Sequence, residues 1–340
     1  MRQNFSDTDW ELFLKLLRAG LWERSVILAH APDEQTSRRL IEMGRRQAVL
    51  GILLRSLVRL PKEQLPPSQI RMQLLAEGDG IESQNLRINL VEHEILAFFE
   101  QEGLRPIVQK GSQAARHYAM PLLRQSGDID LYLPGEDFRK ACALIPDGTK
   151  APDGSLVFRR KGIVVELHPR YFDLHVAEDR LPAVPSHTAE LVLYSAHILK
   201  HALGAGVGMK QLCDLARALE GLEGKYDKQR LEEDLRKAGI QRWHQMLCSL
   251  LVGQLGLDPK YCLPGFKPVG YRRLERIIRK GGNFGLSSSL RKKGLRARNP
   301  LFRKFTTALA FLGRIPFALH YAPKEALATF RELVRGNIYS

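Results

Sequence analysis

The stretch QKGSQAARHYAMPLLRQSGDIDLYLP, residues 109–134, carries two aspartates near its end, inside the otherwise apolar run DIDLYL. Such a run is typical of a β-strand. Successive side chains of a strand point to opposite faces, so Asp128 and Asp130 share one face, about 7 Å apart. Two carboxylates on one face repel each other unless a cation lies between them. Because Mg²⁺ takes oxygen ligands from carboxylates and phosphates, this pair predicts a metal site.

The turn upstream of the aspartates has the composition of a phosphate site. Lys110, Gly111 and Ser112 lie where a short apolar strand, RPIVQKG, gives way to a predicted helix. The free backbone N–H groups and the dipole at a helix N-terminus favour an anion. Lys110 adds a positive charge, and Arg124 precedes Asp128 by four residues, where its guanidinium can hold a phosphate through two hydrogen bonds. The alternative is that both cations are ordinary surface charges.

A third carboxylate stands in the later predicted strand GIVVELHP, where Glu166 is the only acid. If that strand pairs beside the first one, Glu166 joins Asp128 and Asp130. Three carboxylates can hold two metal ions, which clamp the attacking and leaving oxygens of a phosphoryl displacement. The alternative for the aspartates is the wet face of an edge strand. For Glu166 it is an ion pair with Arg159 or Arg160 on the neighbouring strand.

The order of predicted elements gives the fold class. Residues 104–170 read as strand, helix, strand, helix, strand, strand, and the last two strands join at Lys161–Gly162 as a hairpin. Apolar residues at helical spacing dominate on both sides of this unit. The prediction is an α+β protein whose small mixed sheet is flanked by helical regions. The predicted regions are an N-terminal helical region over 1–84, the sheet core over 85–184, a helical domain over 185–264 and a basic C-terminal helical segment over 265–340.

The composition, 44% apolar and 26% charged over 340 residues, is that of a folded globular protein. The first twenty residues lack the apolar region of a signal peptide. No stretch has the roughly 18 uninterrupted apolar residues of a membrane span. None of the four cysteines has metal-ligand or paired spacing, which predicts reduced thiols and a cytoplasmic location. These cysteines are Cys142, Cys213, Cys248 and Cys262.

The net charge of +15 is concentrated near the C-terminus. Residues 267–304 contain thirteen Lys or Arg and a single acid, Glu275. Such a segment suits contact with a polyanion, which is a nucleic acid, an anionic membrane or a polyphosphate-bearing substrate. The alternative is a solvated helix face followed by a Gly- and Ser-rich loop.

The motifs QKG, RQSGDIDLYL and VVELH together resemble the nucleotidyltransferases of the DNA polymerase beta-like superfamily, in a branch of mostly uncharacterised bacterial members. The resemblance covers roughly residues 85–220. It includes Arg87 and Asn89 in the lead-in helix. Further along, it includes a helical segment with paired histidines and a following Asp-Leu, which here are His197, His201, Asp214 and Leu215.

The resemblance implies transfer of a nucleoside monophosphate from a nucleoside triphosphate, with ATP the expected donor, to an acceptor hydroxyl with the help of two Mg²⁺ ions. It implies metal-binding and catalytic roles for Asp128, Asp130 and Glu166. It implies phosphate-binding roles for a second set of residues, Lys110, Gly111, Ser112 and Arg124. The acceptor stays open between a small molecule, a sugar, a protein and an RNA.

Two other functions fit the same sequence. One is a non-catalytic nucleotide-binding or scaffold protein whose basic C-terminal segment docks to nucleic acid or an anionic membrane. The other is an antitoxin-like transferase that modifies proteins. His197 and His201 lie one helical turn apart and can ligate a metal, but a core or substrate-facing role is favoured because no third ligand is evident. His117 and His168 are interpreted as structural.

Overall fold

The computed structural model describes seven stretches of the chain, which are residues 5–151, 153–172, 174–175, 181, 185–203, 206–283 and 314–334. Most of the basic segment falls outside these residues, because residues 284–304 are not among them. The predicted polyanion contact of residues 267–304 therefore stays a prediction.

Four helices form the N-terminal part of the chain. They are α1 (Asp7–Leu21), α2 (Glu34–Gln47), α3 (Leu50–Leu57) and α4 (Ser68–Gln101). Ser6 caps α1 by accepting a hydrogen bond from the Asp9 backbone, and the Asp9 carboxylate accepts one from the Ser6 backbone in return. This reciprocal cap satisfies two N–H groups that a helix end leaves without partners. The predicted N-terminal helical region is thus observed, with Phe13 fully buried at its centre.

A five-stranded mixed sheet follows α4. Its strands are β1 (Ile107–Val108), β2 (Asp128–Tyr132), β3 (Thr149–Lys150), β4 (Leu156–Arg160) and β5 (Ile163–His168), with the helices α5 (Ser112–Ala115) and α6 (Gly135–Leu144) between them. The strand order is β1-β2-β5-β4-β3, and only β2 and β5 run parallel. The predicted α+β class is confirmed. The sheet gains one short strand, β3, that was not predicted.

The two faces of the sheet differ in character. On one face Ile129 and Leu131 of β2, with Val165 and Leu167 of β5, are buried against the apolar side of α4 and α6. The opposite face carries the acidic residues of the same strands. Because side chains alternate, a slip of one residue would move the apolar set to the wrong face, so burial of the apolar face fixes the register.

The chain then continues in helices. They are α7 (His187–Leu203), α8 (Met209–Gly221), α9 (Lys228–Lys237), α10 (Gln241–Leu250), α11 (Arg272–Gly281), α12 (Ile315–Tyr321) and α13 (Pro323–Val334). Their apolar faces join those of α1, α2 and α3 in one continuous core. The buried Gln47 side chain links both regions, since it donates to the Ile278 carbonyl and accepts from the Met209 backbone. Among the described residues, no helix has the length and apolar character that crossing a membrane requires.

The loop that leads into β2 is held by the N-terminal helices. A Cβ atom at Gly51 of α3 would lie 2.0 Å from the carbonyl oxygen of Leu123. The Asn85 side chain of α4 donates to the carbonyls of Leu122 and Arg124, at 2.6 and 2.8 Å. The position of the first strand aspartate, Asp128, therefore depends on helices far upstream in the chain.

A buried histidine lies between α7 and α10. Nδ1 of His244 is 2.8 Å from the Ser195 hydroxyl, and its Nε2 is 3.5 Å from the Cys248 sulfur. Burial lowers the pKa of His244 to about 4. This ring is therefore neutral in the folded protein at neutral pH.

Replacement of Gly51 by Ala is expected to lower the free energy of unfolding by about 1–3 kcal/mol, because the added methyl group overlaps the Leu123 backbone. The matched control is Gly80→Ala in α4, where nothing lies within 4 Å of the new methyl group. That change should raise the free energy of unfolding by up to about 1 kcal/mol through helix propensity. Urea unfolding of both variants measures the difference. Equal stability of the two would show that α3 and the loop are not in close contact.

Acid is expected to destabilise the protein through His244. An unfolded histidine has a pKa of about 6.5, so the unfolded chain takes up this proton first as the pH falls below that value. The contribution is fully present above pH about 6.5 and is lost as the pH falls toward 4, with about 2 kcal/mol lost between pH 7 and pH 5. The variant His244→Gln should lack this part of the pH dependence. If the free energy of unfolding changed equally between pH 7 and pH 5 in the variant and in the wild type, His244 would not be the group responsible.

Candidate active site

The parallel pairing of β2 and β5 sets the geometry of the site. Asp130 is the direct Cα partner of Glu166, and Tyr132 is the partner of His168. Glu166 therefore stands beside Asp130 on one face of the sheet, as the sequence predicted for the case in which the two strands pair. One ligand atom from each of Asp130, Glu166 and His168 lies within 4.8 Å of the others. Asp128 precedes Asp130 by two residues and faces the same side.

A cavity of about 340 Å³ lies over this face, between the sheet and the helices α7 and α8. Its lining is dense in charge. The carboxylates are Asp128, Asp130, Asp153, Glu166 and Asp214, the Lys and Arg residues are Lys110, Arg124, Lys200 and Lys210, and the histidines are His168, His197 and His201. A polar ligand that carries many charges fits such a lining better than an apolar one.

Two donors converge on one oxygen of Asp130. Nζ of Lys110 lies 3.1 Å from Oδ1, and Nε2 of His168 lies 2.9 Å from the same atom. Burial acts to raise the pKa of Asp130, but Lys110 and His168 outweigh it and hold the pKa well below its ordinary value. Asp130 is therefore ionised, which is the form that binds metal. His168, which the sequence suggested was structural, belongs to the site.

Glu166 is in the opposite electrostatic situation. Burial raises its pKa, and the negative charges of Asp130 and Asp128 raise it further. Nε2 of His168 lies 3.7 Å from Oε2 of Glu166. A cation placed between Glu166 and the aspartates would remove this repulsion. The donor set of carboxylate oxygens suits a hard divalent ion such as Mg²⁺.

Comparison with protein families identifies the chain. A family model described as "Uncharacterised nucleotidyltransferase" matches residues 33–253, which is more than half of the sequence. The chain belongs to this family. No curated protein and no solved structure matches it. The family recognised from the motifs is thereby confirmed, and membership supports nucleotidyl transfer as the general activity and a nucleotide as substrate. The matched range contains the sheet, α7 and α8, and so the whole cavity of the nucleotidyltransferase.

The Lys110-Gly111-Ser112 turn reaches the cavity only in part. Lys110 and Gly111 line it, and Gly111 has a φ of +50°, a conformation that side chains with a Cβ rarely adopt. The helix after the turn, α5, has only four residues. The Ser112 hydroxyl donates to the Glu92 carboxylate at 2.7 Å and lines a separate cavity. The Ser112 side chain is therefore engaged elsewhere, and the predicted contact of Ser112 with phosphate stays a prediction that rests on its backbone N–H group.

Arg124 lines the cavity, but its two-pronged hydrogen bonding has a protein partner. Nε and Nη2 donate to the two carboxylate oxygens of Asp214 in α8, at 3.0 and 2.6 Å. Nη1 donates to Ser126 at 2.8 Å, and the Tyr118 hydroxyl also donates to Asp214 at 2.8 Å. Both charged side chains are buried. The paired hydrogen bonds that were predicted to hold a phosphate are thus made to the Asp214 carboxylate. This ion pair connects the loop before β2 to helix α8.

Three charged residues of the cavity, Asp153, Lys200 and Lys210, were not singled out from the sequence. Nζ of Lys200 in α7 lies 3.6 Å from a carboxylate oxygen of Asp153. Burial lowers the pKa of Lys210 in α8, and the nearby Arg124 charge lowers it further. The sequence held only a weak sign of the two lysines, because each stands alone in an apolar helical pattern, Lys200 in HILKHAL and Lys210 in GMKQLCDL.

The four histidines named from the sequence divide between the cavity and the core. His197 and His201 line the cavity with their Nε2 atoms 3.1 Å apart, which agrees with a substrate-facing position. Nε2 of His117 lies 2.8 Å from Oε1 of Glu190, outside the cavity lining, in keeping with a structural role.

Removal of one partner of the buried ion pair is expected to destabilise the protein. Asp214→Asn leaves the Arg124 charge buried without compensation and should lower the free energy of unfolding by about 3–5 kcal/mol. The control is Glu34→Gln, which breaks an exposed pair with Arg38 and should change it by at most about 1 kcal/mol. A second variant, Arg124→Gln with Asp214→Asn, should recover part of the loss. If thermal unfolding showed the same loss of stability for Asp214→Asn and for the control Glu34→Gln, the ion pair would have no structural role.

Proposed function

We propose that this nucleotidyltransferase moves a nucleoside monophosphate from a nucleoside triphosphate, with ATP the expected donor, to an acceptor hydroxyl with the help of two Mg²⁺ ions. The observation that carries the proposal is the direct pairing of Asp130 with Glu166, with Asp128 on the same face. Three carboxylates on two neighbouring strands, under a cavity lined by cations, form a constellation that is suited to phosphoryl chemistry.

Asp128, Asp130 and Glu166 would hold the metal ions. Their oxygens are the ligand type that Mg²⁺ prefers. Burial raises the pKa of Glu166 most, and the charges of Asp130 and Asp128 raise it further. When bound, the ions would neutralise the phosphate charge and make the acceptor hydroxyl more acidic. Lys110 and His168 support the site by keeping Asp130 ionised.

The triphosphate would lie along the cationic part of the cavity. Lys110 and Gly111 approach it from the turn after β1, and Lys200 and Lys210 approach it from α7 and α8. These lysines act as point charges, which bind phosphate oxygens without demanding one fixed geometry. Arg124 contributes by positioning the loop before β2 through Asp214, and Ser112 contributes through its backbone.

The reaction needs a base for the acceptor hydroxyl. Its oxygen attacks the α-phosphorus, the bond from that phosphorus to pyrophosphate breaks, and the hydroxyl proton passes to the Glu166 carboxylate. Glu166 stands beside Asp130 and lines the cavity, so its carboxylate is placed to take that proton.

Metal-dependent binding tests the carboxylate assignment. ATP with Mg²⁺ should raise the melting temperature more than ATP with EDTA does, since a ligand that binds only the native state stabilises it. Asp130→Asn should abolish this difference, and Asp128→Asn should do the same if the first variant folds poorly. The control is Asp79→Asn, an isosteric change at an exposed position of α4, which should preserve the difference. A full Mg²⁺-dependent shift in both site variants would remove the aspartates from the metal site.

Transfer itself is tested with Glu166→Gln in single-turnover reactions with ATP labelled at the α-phosphate and a cell extract as the source of acceptor. The variant should still bind ATP with Mg²⁺ through Asp128, Asp130 and the turn. Its rate of label transfer to the acceptor should fall about 10²-fold or more, as expected when a positioned base is lost. A rate equal to that of the wild type would show that Glu166 takes no part in the chemistry.

A further inference from the structure

The pair of Asp130 and Glu166 has a different neighbour at each end along the two strands. Asp128 precedes Asp130 by two residues in β2, and His168 follows Glu166 by two residues in β5, so all four side chains share one face of the sheet. Because β2 and β5 run parallel, Asp128 and His168 lie at opposite ends of the pair. The pair therefore has a carboxylate at one end and an imidazole at the other.

The distances from the imidazole fit a ligand of the same ion. Nε2 of His168 lies 2.9 Å from Oδ1 of Asp130 and 3.7 Å from Oε2 of Glu166. Two atoms that each bind one ion at about 2.1 Å lie about 3–4 Å from each other. Asp130, Glu166 and His168 form the one group of metal-ligand residues this close together in the described part of the chain, and Asp128 is not a member.

The sheet holds the His168 ring in a fixed place. Its carbonyl accepts a hydrogen bond from the Leu133 backbone at 3.2 Å, which extends the pairing of β5 with β2. The side chain is only 7% exposed. A ring that is already ordered loses little side-chain entropy when it binds an ion. The Lys110 ammonium reaches the same oxygen of Asp130 as the imidazole does, so two nitrogen groups already compensate the charge that a cation would compensate.

The two ends of the pair differ in the ion that they suit. Mg²⁺ takes oxygen ligands such as carboxylates, and the Asp128 end offers carboxylates. An imidazole nitrogen suits transition-metal ions, whose affinity for a site of nitrogen and oxygen ligands rises along the series from Mn²⁺ to Cu²⁺. The His168 end, with one imidazole and two carboxylates, therefore favours a divalent transition-metal ion over Mg²⁺.

We propose that Asp130, Glu166 and His168 bind a divalent transition-metal ion, and that His168 makes this position prefer such an ion to Mg²⁺. The inference rests on the proposed nucleotidyl transfer, because it assigns a further ligand and an ion to one of the two metal positions of that reaction. His168 binds through the lone pair of Nε2, its ring proton lies on Nδ1, and the hydrogen bond to Asp130 is given up. A histidine that only positions Asp130 would keep that hydrogen bond and stay off the ion.

Electron spin-echo envelope modulation of bound Mn²⁺ separates these two roles, because a directly coordinated nitrogen modulates the echo strongly. The sample contains Mn²⁺ and inorganic triphosphate, a nitrogen-free substitute for the nucleotide, with the protein in excess so that the tightest position fills first. The wild type should show nitrogen modulation. Its pattern should change when the histidines carry ¹⁵N, which assigns the nitrogen to an imidazole.

Variants assign the nitrogen to one ring. His168→Gln should lose the modulation, and Asp128→Asn should keep it, since Asp128 is outside the group. The matched control is the double change His197→Gln with His201→Gln, which removes the other two histidines of the cavity lining and should also keep the modulation. If His168→Gln folds poorly, the labelled wild type and the double variant decide. Modulation that persists in His168→Gln, or that the double variant loses, would overturn the assignment.

Competition between Mn²⁺ and Mg²⁺ tests the preference. Gln replaces the nitrogen ligand by an oxygen ligand, so His168→Gln should reduce the ratio of the Mg²⁺ to the Mn²⁺ dissociation constant about tenfold or more. The signal of free Mn²⁺ measures the displacement. An unchanged ratio, or bound Mn²⁺ without nitrogen modulation, would overturn the inference while Mg²⁺-dependent stabilisation by ATP could stand. A wild type that binds no Mn²⁺ would overturn the inference and the proposed function together.

Discussion

The pairing of Asp130 with Glu166 on adjacent parallel strands is the constraint on which the rest of the site depends. Burial raises the pKa of Glu166, and repulsion from the Asp130 charge raises it further. The sheet holds them together because the other face of the same strands, including Ile129 and Val165, is buried against α4 and α6. Hydrophobic burial therefore fixes a register that electrostatics alone would disfavour. In the proposed reaction, this repulsion favours a cation bound between the carboxylates.

Lys110 links the carboxylates to the turn after β1, where the proposed phosphate site lies. Its ammonium lies 3.1 Å from an oxygen of Asp130. A metal ion bound to that oxygen would compete with the ammonium. In the proposed reaction Lys110 exchanges Asp130 for a phosphate oxygen when the metal and nucleotide bind together. The helical regions contribute by holding the carboxylate strand in place, through Arg124 and Asp214 on one side and Gly51 on the other.

Local patterns in the sequence predicted the fold class and the shared face of the two aspartates. The spacing of Asp128 and Asp130 predicts a shared face because strand side chains alternate, and the mixed sheet between helical regions follows from the order of patterns. Glu166 could be added only on the condition that its strand paired with theirs. The partner of Arg124 was not predictable, since Asp214 lies 90 residues away and meets it only through the docking of α8. The positions of Lys200 and Lys210 in the cavity were not predicted for the same reason, because they depend on how α7 and α8 dock. Ser112 was assigned by its turn, whereas the position of its hydroxyl depends on Glu92 of a different helix.

The most direct test of the account is a crystal structure of the full chain with Mn²⁺ and a non-hydrolysable ATP analogue, in which anomalous scattering locates the metal. The account predicts anomalous peaks bounded by the oxygens of Asp128, Asp130 and Glu166. It also predicts that the Lys110 ammonium has moved from Asp130 to the phosphates. Anomalous peaks elsewhere, or an occupied nucleotide site with Lys110 still on Asp130 and no metal beside it, would contradict the central claim.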